Sequence, residues 1–277
     1  MNKKIWFITG ISSGLGQALA KTVIANGDFV IGTFRNQAQA DIFNNEYGEE
    51  ALALVVDITR QSEIKEAFQL ISEKFGKIDV LVNNAGFGFA GAVEETTTNE
   101  VREIFETNFF GALQVTQIFL PLLRQQKSGH IIQISSHAGF KAFPGFGIYS
   151  ASKFALEGFS EALAAEIAPL GIKLTIVEPG PFRTHFAGNS FRHAVRIIED
   201  YRATAGAFRE RMKLVNGQQE GDPIKASQAI IDITKLEIPP LRLPLGKVAL
   251  VSLTGKLDSV QKDIDICKHI AESVVYD

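Results

Sequence analysis

Short runs of β-branched and aliphatic residues recur along this 277-residue chain, separated by stretches long enough for helices. The runs occupy residues 5–9, 29–32, 52–56, 80–82, 131–134, 174–177 and 248–251. Most of them show little alternation of polar and apolar residues, so both faces of each strand should be covered. The pattern predicts an α/β fold: a doubly wound parallel sheet of about seven strands with helices on both faces.

Helical patterns lie between these runs, at residues 15–26, 62–75, 99–123 and 149–170. Gly27, Gly76 and Gly171 follow three of them and suit helix C-termini. Since no Pro- or Gly-rich linker interrupts the alternation, we expect one domain over residues 1–277. The regularity fails at about 184–222, which we interpret as one or two short helices covering a site, or alternatively as a surface insertion without a role. A C-terminal extension from about residue 239 should hold the last strand and a final helix.

Composition excludes several classes of protein. The net charge of −3 predicts no nucleic-acid partner and no attraction to anionic lipid. The longest unbroken apolar run, residues 51–56, is far below the ~20 residues of a membrane span. Cys267 cannot form an internal disulfide, which indicates a reducing, cytoplasmic location, and we expect it to be a small core residue of the last helix. Histidine spacing and the lack of a Cys–His cluster predict no metal site.

A glycine-rich loop follows the first strand and opens the first helix. Its sequence is Gly10-Ile11-Ser12-Ser13-Gly14-Leu15-Gly16. Gly10 permits a tight turn, Gly16 permits close packing of the helix, and the helix N-terminus offers unpaired N–H groups to phosphates. In this context the loop predicts a dinucleotide-binding site.

The second strand ends in Gly32-Thr33-Phe34-Arg35-Asn36, without the acid that usually binds the adenosine ribose. Arg35 is placed to pair with a 2′-phosphate instead. A charge-assisted hydrogen bond of about 1.5–3 kcal/mol gives a roughly 10- to 150-fold preference for NADP(H) over NAD(H). NAD(H) remains possible because position 13 carries no second basic residue. The alternative is that Arg35 is a solvated loop arginine.

Tyr149 and Lys153 are four residues apart and share one face of a predicted helix. A tyrosine pKa of about 10 makes the phenol a poor acid–base group at neutral pH. A lysine ammonium one turn away favours the phenolate and lowers that pKa. Tyr149 is therefore a candidate proton donor and acceptor, although the same spacing taken alone often marks a surface pair.

These motifs occur together with Asn83-Asn84-Ala85-Gly86, Asn108, Ser135-Ser136 and Pro179-Gly180. In order and spacing the chain resembles the short-chain dehydrogenase/reductase family over about residues 4–184. It looks like the shorter-chain branch of that family rather than the longer sugar-nucleotide epimerases. The tail resembles hydroxysteroid and retinol dehydrogenases.

The resemblance implies a role for each motif position. Tyr149 is the catalytic acid/base, Lys153 lowers its pKa and binds the nicotinamide ribose, and Asn108 holds a water that links Lys153 to solvent. Ser136 orients the substrate oxygen, with Ser135 as the alternative. The implied cofactor-binding residues are Gly10, Ser12, Ser13, Gly14, Leu15, Gly16, Arg35, Asp57, Ile58, Asn83, Ala85, Gly86, Tyr149, Lys153, Pro179, Gly180 and Thr184.

Three of these positions have more specific implied roles. Asp57 bonds the adenine amine. Asn83 braces the sheet and lines the cofactor. Thr184 bonds the nicotinamide carboxamide or a phosphate. The family also implies a homodimer or homotetramer, formed through the helices at 99–123 and 149–170.

Phenylalanines cluster in the loops that this family uses around its substrate. They are Phe87, Phe89, Phe143, Phe146, Phe182 and Phe186. They predict an apolar pocket and a hydrophobic alcohol or carbonyl substrate, with His137 and His185 as further candidates at its border. The leading function is therefore NADP(H)-dependent interconversion of an alcohol and a ketone or aldehyde. The alternatives are a non-catalytic nucleotide-sensing protein and an acyl-carrier ketoreductase.

Overall fold

Seven parallel strands form the central sheet of the computed structural model, which describes residues 3–184 and 191–276. They are β1 (Ile5–Ile8), β2 (Phe29–Phe34), β3 (Ala51–Val55), β4 (Val80–Asn83), β6 (Gly129–Ile134), β7 (Ile172–Pro179) and β9 (Arg242–Leu245), while β5 (Gly88–Ala90) pairs separately with β8 (Phe191–His193). The sheet order is β3-β2-β1-β4-β6-β7-β9, and every neighbouring pair is parallel. The predicted doubly wound α/β fold is confirmed. Strand order reverses between β1 and β4, which opens a crevice at their carboxyl ends.

Helices cover both faces of this sheet. They are α1 (Gly14–Ala25), α2 (Gln37–Tyr47), α3 (Gln61–Phe75), α4 (Thr98–Phe105), α5 (Ala112–Gln126), α6 (Gly147–Ile167), α7 (Ala207–Leu214), α8 (Pro223–Ile233) and α9 (Lys247–Glu272). The predicted glycine C-termini are confirmed at Gly76 and Gly171, which end their helical segments in the left-handed conformation. Among these helices, none combines the length and the apolar composition that crossing a membrane requires.

Two apolar layers, one on each face of the sheet, form the core. Adjacent residues of β1 point to opposite layers: Trp6 packs with Leu19 of α1 and Ile230 of α8. Phe7 packs in the other layer, where its ring stacks on Phe119 of α5 at 4.5 Å between centroids. Both faces of the central strands are therefore apolar, which explains why their sequences show no polar alternation.

The last strand does not lie where the sequence predicts it. Residues 248–251 belong to the start of α9, and the edge strand is β9, Arg242–Leu245. Pro244 falls within β9, and an edge strand tolerates proline because its free side needs no N–H donor. Gly246, with φ of 90°, then separates β9 from α9. The aliphatic residues of the helix imitate a strand, so the prediction of a strand at 248–251 is wrong.

The expectation that Cys267 is a core residue is also wrong. Cys267 lies in α9 and is exposed. Its helix packs on the rest of the structure only through its first turns, where Ala249 and Ser252 are buried.

The described residues of the irregular segment at about 184–222 lie near the carboxyl ends of the strands. Its described part contains β8, a 3₁₀ turn at Glu199–Tyr201, a π turn at Arg202–Gly206 and α7. A bridge between Phe182 and Gly221 joins the two ends of the segment. The segment therefore starts and finishes beside the same end of β7.

Candidate active site

The glycine-rich loop lies at the crevice between β1 and β4. The N–H of Gly10 donates to Thr33 Oγ1 at 2.8 Å, and its φ of 69° is one that residues with side chains rarely adopt. A Cβ at Gly10 would come within 2.9 Å of the Ala85 main chain. α1 starts at Gly14, and within the described residues the side chain of Ser13 makes no capping hydrogen bond. The first N–H groups of α1 therefore remain available to an anion.

Asn84 holds this loop against the end of β4. Its Nδ2 atom donates to the carbonyls of Thr9 and Gly10 at 2.9 and 2.8 Å. A Cβ on Gly16 would lie 2.2 Å from the same amide nitrogen, so the expected close packing at Gly16 is against Asn84. The sequence motif contains Asn84, but we assigned no role to it.

Asn83 has a different position from the one expected for a cofactor contact. It is the last residue of β4, is buried, and donates from Nδ2 to Thr116 Oγ1 of α5 at 2.8 Å. This contact agrees with a bracing role. Asn83 does not line the cavity described next, whereas Asn84 does. The reason is the strand alternation, which turns Asn83 toward the helix layer and Asn84 toward the crevice.

A cavity of about 840 Å³ extends from the glycine-rich loop to the irregular segment. Most of the predicted cofactor-binding residues line it: Gly10, Ser12, Ser13, Gly14, Leu15, Arg35, Asp57, Ile58, Ala85, Gly86, Tyr149, Lys153, Pro179, Gly180 and Thr184. Ser136 lines it as well, but Gly16, Asn83 and Asn108 do not. Gly16 and Asn108 lie behind the wall and support it.

Tyr149 and Lys153 stand one turn apart in α6 at the base of this cavity. Ser136 forms a hydrogen bond with the side chain of Tyr149. The neighbouring Ser135 donates instead to Glu157 Oε1 at 2.5 Å. Both serines line the cavity, and Ser136 is the one that contacts Tyr149. Lys153 Nζ donates to the carbonyl of Ile134 at 2.8 Å.

Burial dominates the titration of both groups. Tyr149 is 4% exposed, and burial raises the pKa of its phenol above the ordinary value, although the hydrogen bond with Ser136 opposes the rise. Burial lowers the pKa of Lys153 to about 8, with Glu157 opposing that shift. The pKa of Tyr149 is thus raised rather than lowered as expected, because burial sets the direction of the shift. Both groups hold their neutral-pH protons: a phenol and an ammonium.

Asn108 lies in a π-helical turn, Glu106–Gly111, between α4 and α5. Its side-chain amide accepts from the N–H of Phe87 and donates to the carbonyl of Phe87, both at 3.0 Å. Nδ2 also lies 3.2 Å from Ser152 Oγ. These bonds fix the chain that follows Gly86, directly beside Lys153. The sequence could not show that the amide is used in this way.

A buried ionic cluster lies directly behind Lys153 and Ser136, and sequence reasoning missed it. Arg242 of β9 bonds the carboxylate of Glu157, reaches Glu178 Oε1 at 2.5 Å and reaches Glu161 Oε1 at 3.1 Å. Burial and the nearby charge of Glu157 raise the pKa of Glu178, while Arg242 opposes the rise. The cluster connects Ser135, the residue after β6, with α6, β7 and β9.

At the other end of the cavity, the outer residues are polar. Arg35 follows the end of β2 and is exposed. Asp57 Oδ1 accepts from the N–H and the hydroxyl of Thr59, at 3.0 and 2.8 Å. Asp57 and Arg35 line the same part of the crevice, beside strands β2 and β3.

Aromatic side chains line the part of the cavity near Tyr149 and α7, together with the charged side chains of Arg192 and Arg211. Of the predicted aromatic residues, Phe87, Phe143, Phe146 and Phe182 line it. Phe146 stacks on Tyr149 at 4.2 Å and contacts Phe208 of α7 at 5.0 Å between ring centroids. Phe89 lies in β5, outside the lining. Phe186 and His185 fall outside the described residues.

His137 also lines the cavity, and its Nδ1 lies 3.1 Å from Ser252 Oγ of α9. Burial, assisted by Lys141, lowers the pKa of His137 to about 4, so it is neutral at pH 7. His130, in contrast, is buried in β6 with its Nε2 atom 2.9 Å from Thr175 Oγ1. Phe208, Met212 and Val215 of the irregular segment complete the apolar lining, and no motif pointed to them.

A buried ion pair anchors that segment. Arg209 of α7 bonds the carboxylate of Glu95, which also accepts from the N–H groups of Ala92 and Ile198 at 2.8 and 3.0 Å. Burial tends to raise the pKa of Glu95, but Arg209 and the two N–H donors outweigh burial and lower it to about 2. Glu95 thus stays ionised and ties α7, and the chain before it at Ile198, to the segment after β5.

Comparison with protein families and curated proteins gives consistent results. The model of the short chain dehydrogenase family matches residues 4–194. An oxidoreductase of Botryotinia fuckeliana, BOA17, is 41% identical over 258 residues, 93% of each chain. The 3-ketodihydrosphingosine reductase of Bacteroides thetaiotaomicron is 38% identical over 254 residues, 91% of each chain.

Solved structures agree with these relatives. A short-chain dehydrogenase from Streptomyces avermitilis superposes with a TM-score of 0.93 at 40% identity, covering 99% of this chain and 100% of that one. ElxO, solved with NADP bound, superposes with a TM-score of 0.75 at 26% identity, covering 90% of this chain and 100% of its own. The first of these matches spans the C-terminal extension as well as the sheet.

Proposed function

This chain belongs to the short-chain dehydrogenase family and is an NAD(P)-dependent oxidoreductase, and we propose that it uses NADP(H) to interconvert a hydrophobic ketone or aldehyde and its alcohol. The observation that carries the proposal is the position of Tyr149 and Ser136. They lie at the base of a cavity that is polar at the glycine-rich loop and rich in aromatic side chains near α7, where Arg211 also lines it.

The residues present fit a dinucleotide. The uncapped start of α1 and the turn at Gly10, which a Cβ would fill, suit a pyrophosphate. Asp57 and Arg35 line the cavity where the adenosine end would follow. Thr184 lies beside Gly14, where the pyrophosphate would lie. When the dinucleotide is bound, its nicotinamide donates or accepts the hydride.

Tyr149 moves the proton in this proposal. Its raised pKa keeps the phenol protonated at neutral pH, ready to donate to a developing alkoxide. Ser136 donates to the same oxygen and fixes its position, while the ammonium of Lys153 stabilises negative charge that develops on the phenol. Because the pKa of Lys153 is about 8, the ammonium remains mostly protonated at pH 7. Phe146 and Phe208 exclude water from the site.

The substrate class follows from the apolar lining. Six large apolar side chains line the inner half of the cavity: Phe87, Phe143, Phe146, Phe182, Phe208 and Met212. They favour an apolar body beside the carbonyl rather than a charged sugar or amino acid. The name of the Bacteroides relative, which specifies a 3-keto compound and its reduction, supports this class.

The test is a turnover assay with ketones and aldehydes of increasing apolar length, read by nicotinamide absorbance with NADPH and with NADH. We expect kcat/KM to rise with apolar length. Turnover of acyl-carrier thioesters alone would favour the acyl-carrier ketoreductase. Tight NADPH binding without turnover of any compound would identify a nucleotide-sensing protein.

We predict that Arg35→Asp inverts the cofactor preference. The substitution removes the partner of the 2′-phosphate and supplies the missing ribose acceptor. Loss of one charge-assisted hydrogen bond alone should lower the ratio of kcat/KM for NADPH to that for NADH by roughly 10- to 150-fold, and the new ribose acceptor should take the ratio below one. Arg124→Asp, on an exposed site of α5 away from the cavity, is the control. An unchanged ratio in Arg35→Asp would make Arg35 a solvated loop residue.

We predict that the segment around α7 acts as a lid. Without ligand, amides of residues 207–214 should exchange hydrogen faster than those of β4, and they should slow when NADPH and an unreactive substrate analogue are added. Glu95→Gln, which weakens the anchor to Arg209, should accelerate this exchange further. Protection equal to that of β4, without a response to ligand, would show a rigid insertion.

A further inference from the structure

The helix α9 extends away from the rest of the protein. It runs from Lys247 to Glu272, 26 residues, and so is about 39 Å long at ~1.5 Å per residue. Only Ala249 and Ser252 are buried, and every described residue from 257 onward is exposed. More than half of the helix is therefore exposed in the described part of the chain.

One face of this exposed helix carries an uninterrupted apolar row, which we call the α9 seam. Its members alternate in spacing between three and four residues: Leu250, Leu253, Leu257, Val260, Ile264, Cys267 and Ala271. The side chains of Leu257, Val260 and Ile264 are 58%, 37% and 53% exposed. This spacing is the a/d repeat of a coiled coil, in which each apolar residue packs between residues of a facing helix.

A helix of this kind needs a partner. Isolated helices of about 12–15 residues are marginal in water, and most helical stability comes from packing an apolar face. We propose that α9 pairs along the seam with α9 of a second copy of this chain, in a parallel coiled coil.

The charged residues of α9 support both a second copy as the partner and a parallel orientation of the two helices. In a parallel pair, Asp263 beside the seam faces Lys268 of the second copy, an attraction repeated by symmetry on the other side. Residues 257–272 carry two lysines against three aspartates and one glutamate. An acidic excess disfavours an anionic lipid surface, which attracts helices rich in Lys and Arg. The seam is also a different surface from the helices at 99–123 and 149–170.

The mass of the full-length protein in solution, by light scattering after size exclusion, tests the pairing. Ile264→Asp places a charge in the seam and should halve the assembly mass relative to the unaltered protein. Ile266→Asp is the matched control, because Ile266 is 69% exposed on the opposite side of α9. Both side chains are exposed, so neither change should disturb folding. An unaltered protein that is monomeric, or equal masses for both variants, would overturn the proposal.

Disulfide formation at Cys267 tests whether the two helices run parallel. In a parallel pair the two copies of Cys267 share a layer of the seam, so mild oxidation should give a disulfide-linked dimer that Cys267→Ser and Ile264→Asp lack. An assembly that depends on Ile264 but gives no such dimer would overturn the parallel arrangement.

Sedimentation with vesicles of anionic phospholipid gives the remaining check: binding that Ile264→Asp abolishes, without a change of mass, would replace the second copy by a lipid surface.

Discussion

Tyr149→Phe should lower turnover at least about 100-fold while NADPH binds nearly as before, because one positioned acid–base group contributes roughly 10²–10⁴ in rate. The aromatic ring would remain, so its stacking on Phe146 at 4.2 Å should be retained. Only the hydroxyl that meets Ser136 would be lost. The expected change is therefore in kcat, with little change in the dissociation constant of NADPH.

The measurement combines steady-state turnover with a fluorescence titration of NADPH. Tyr47→Phe is a suitable control, since Tyr47 lies in α2, packs on Phe43 at 4.6 Å and does not line the cavity. It should leave turnover unchanged. Turnover of Tyr149→Phe close to that of the unaltered protein would remove Tyr149 from the catalytic role and leave Ser136 without its partner.

Local patterns predicted most of the fold and most of the cavity. The apolar strand runs, the loop from Gly10 to Gly16 and the spacing of Tyr149 and Lys153 depend on neighbours within one or two turns, so the sequence carries them directly. The wrong prediction of a strand at 248–251 arises because a local pattern was not sufficient. An apolar run of four residues suits a strand or a helix equally, and only the pairing of β9 with β7 decides between them.

The parts that sequence could not show depend on contacts between distant residues. Asn83 and Asn84 are adjacent, yet strand alternation turns only Asn84 to the cavity. The part of the cavity lining that includes Phe208 lies in a stretch whose irregular sequence has no period to follow. The expected effect of Lys153 on the Tyr149 pKa neglected desolvation, which is a property of the packed fold.

The ionic cluster around Arg242 is a further example of a long-range contact, and it leads to a large expected effect on stability. Arg242 joins the carboxylates of Glu157 and Glu178, whose side chains are 4% and 0% exposed. Removing one partner of a buried ion pair costs about 3–5 kcal/mol, because a charge is left buried without compensation. Arg242→Met leaves two such carboxylates, so we expect its free energy of unfolding at pH 7 to fall by about that amount.

The pH dependence of the stability of Arg242→Met provides a second, independent test. Burial and Glu157 already raise the pKa of Glu178 in the folded protein, and loss of Arg242 should raise it further. Between the ordinary glutamate pKa and this raised value, the folded state binds more protons than the unfolded state. Stability should therefore fall as the pH rises through that interval, more steeply in Arg242→Met than in the unaltered protein. Urea unfolding over a pH series measures both effects.

Replacing a buried carboxylate in the same variant isolates the cause. Arg242→Met combined with Glu178→Gln removes the unpaired charge and should recover a substantial part of the lost stability and flatten its pH dependence. Arg242→Lys keeps the charge without the paired hydrogen bonds, and should lose less than Arg242→Met. If Arg242→Met unfolds at the same urea concentration as the unaltered protein at every pH, the folded state does not need Arg242 to compensate the buried carboxylates. The support for Ser135 and α6 behind the catalytic set would then come from packing alone.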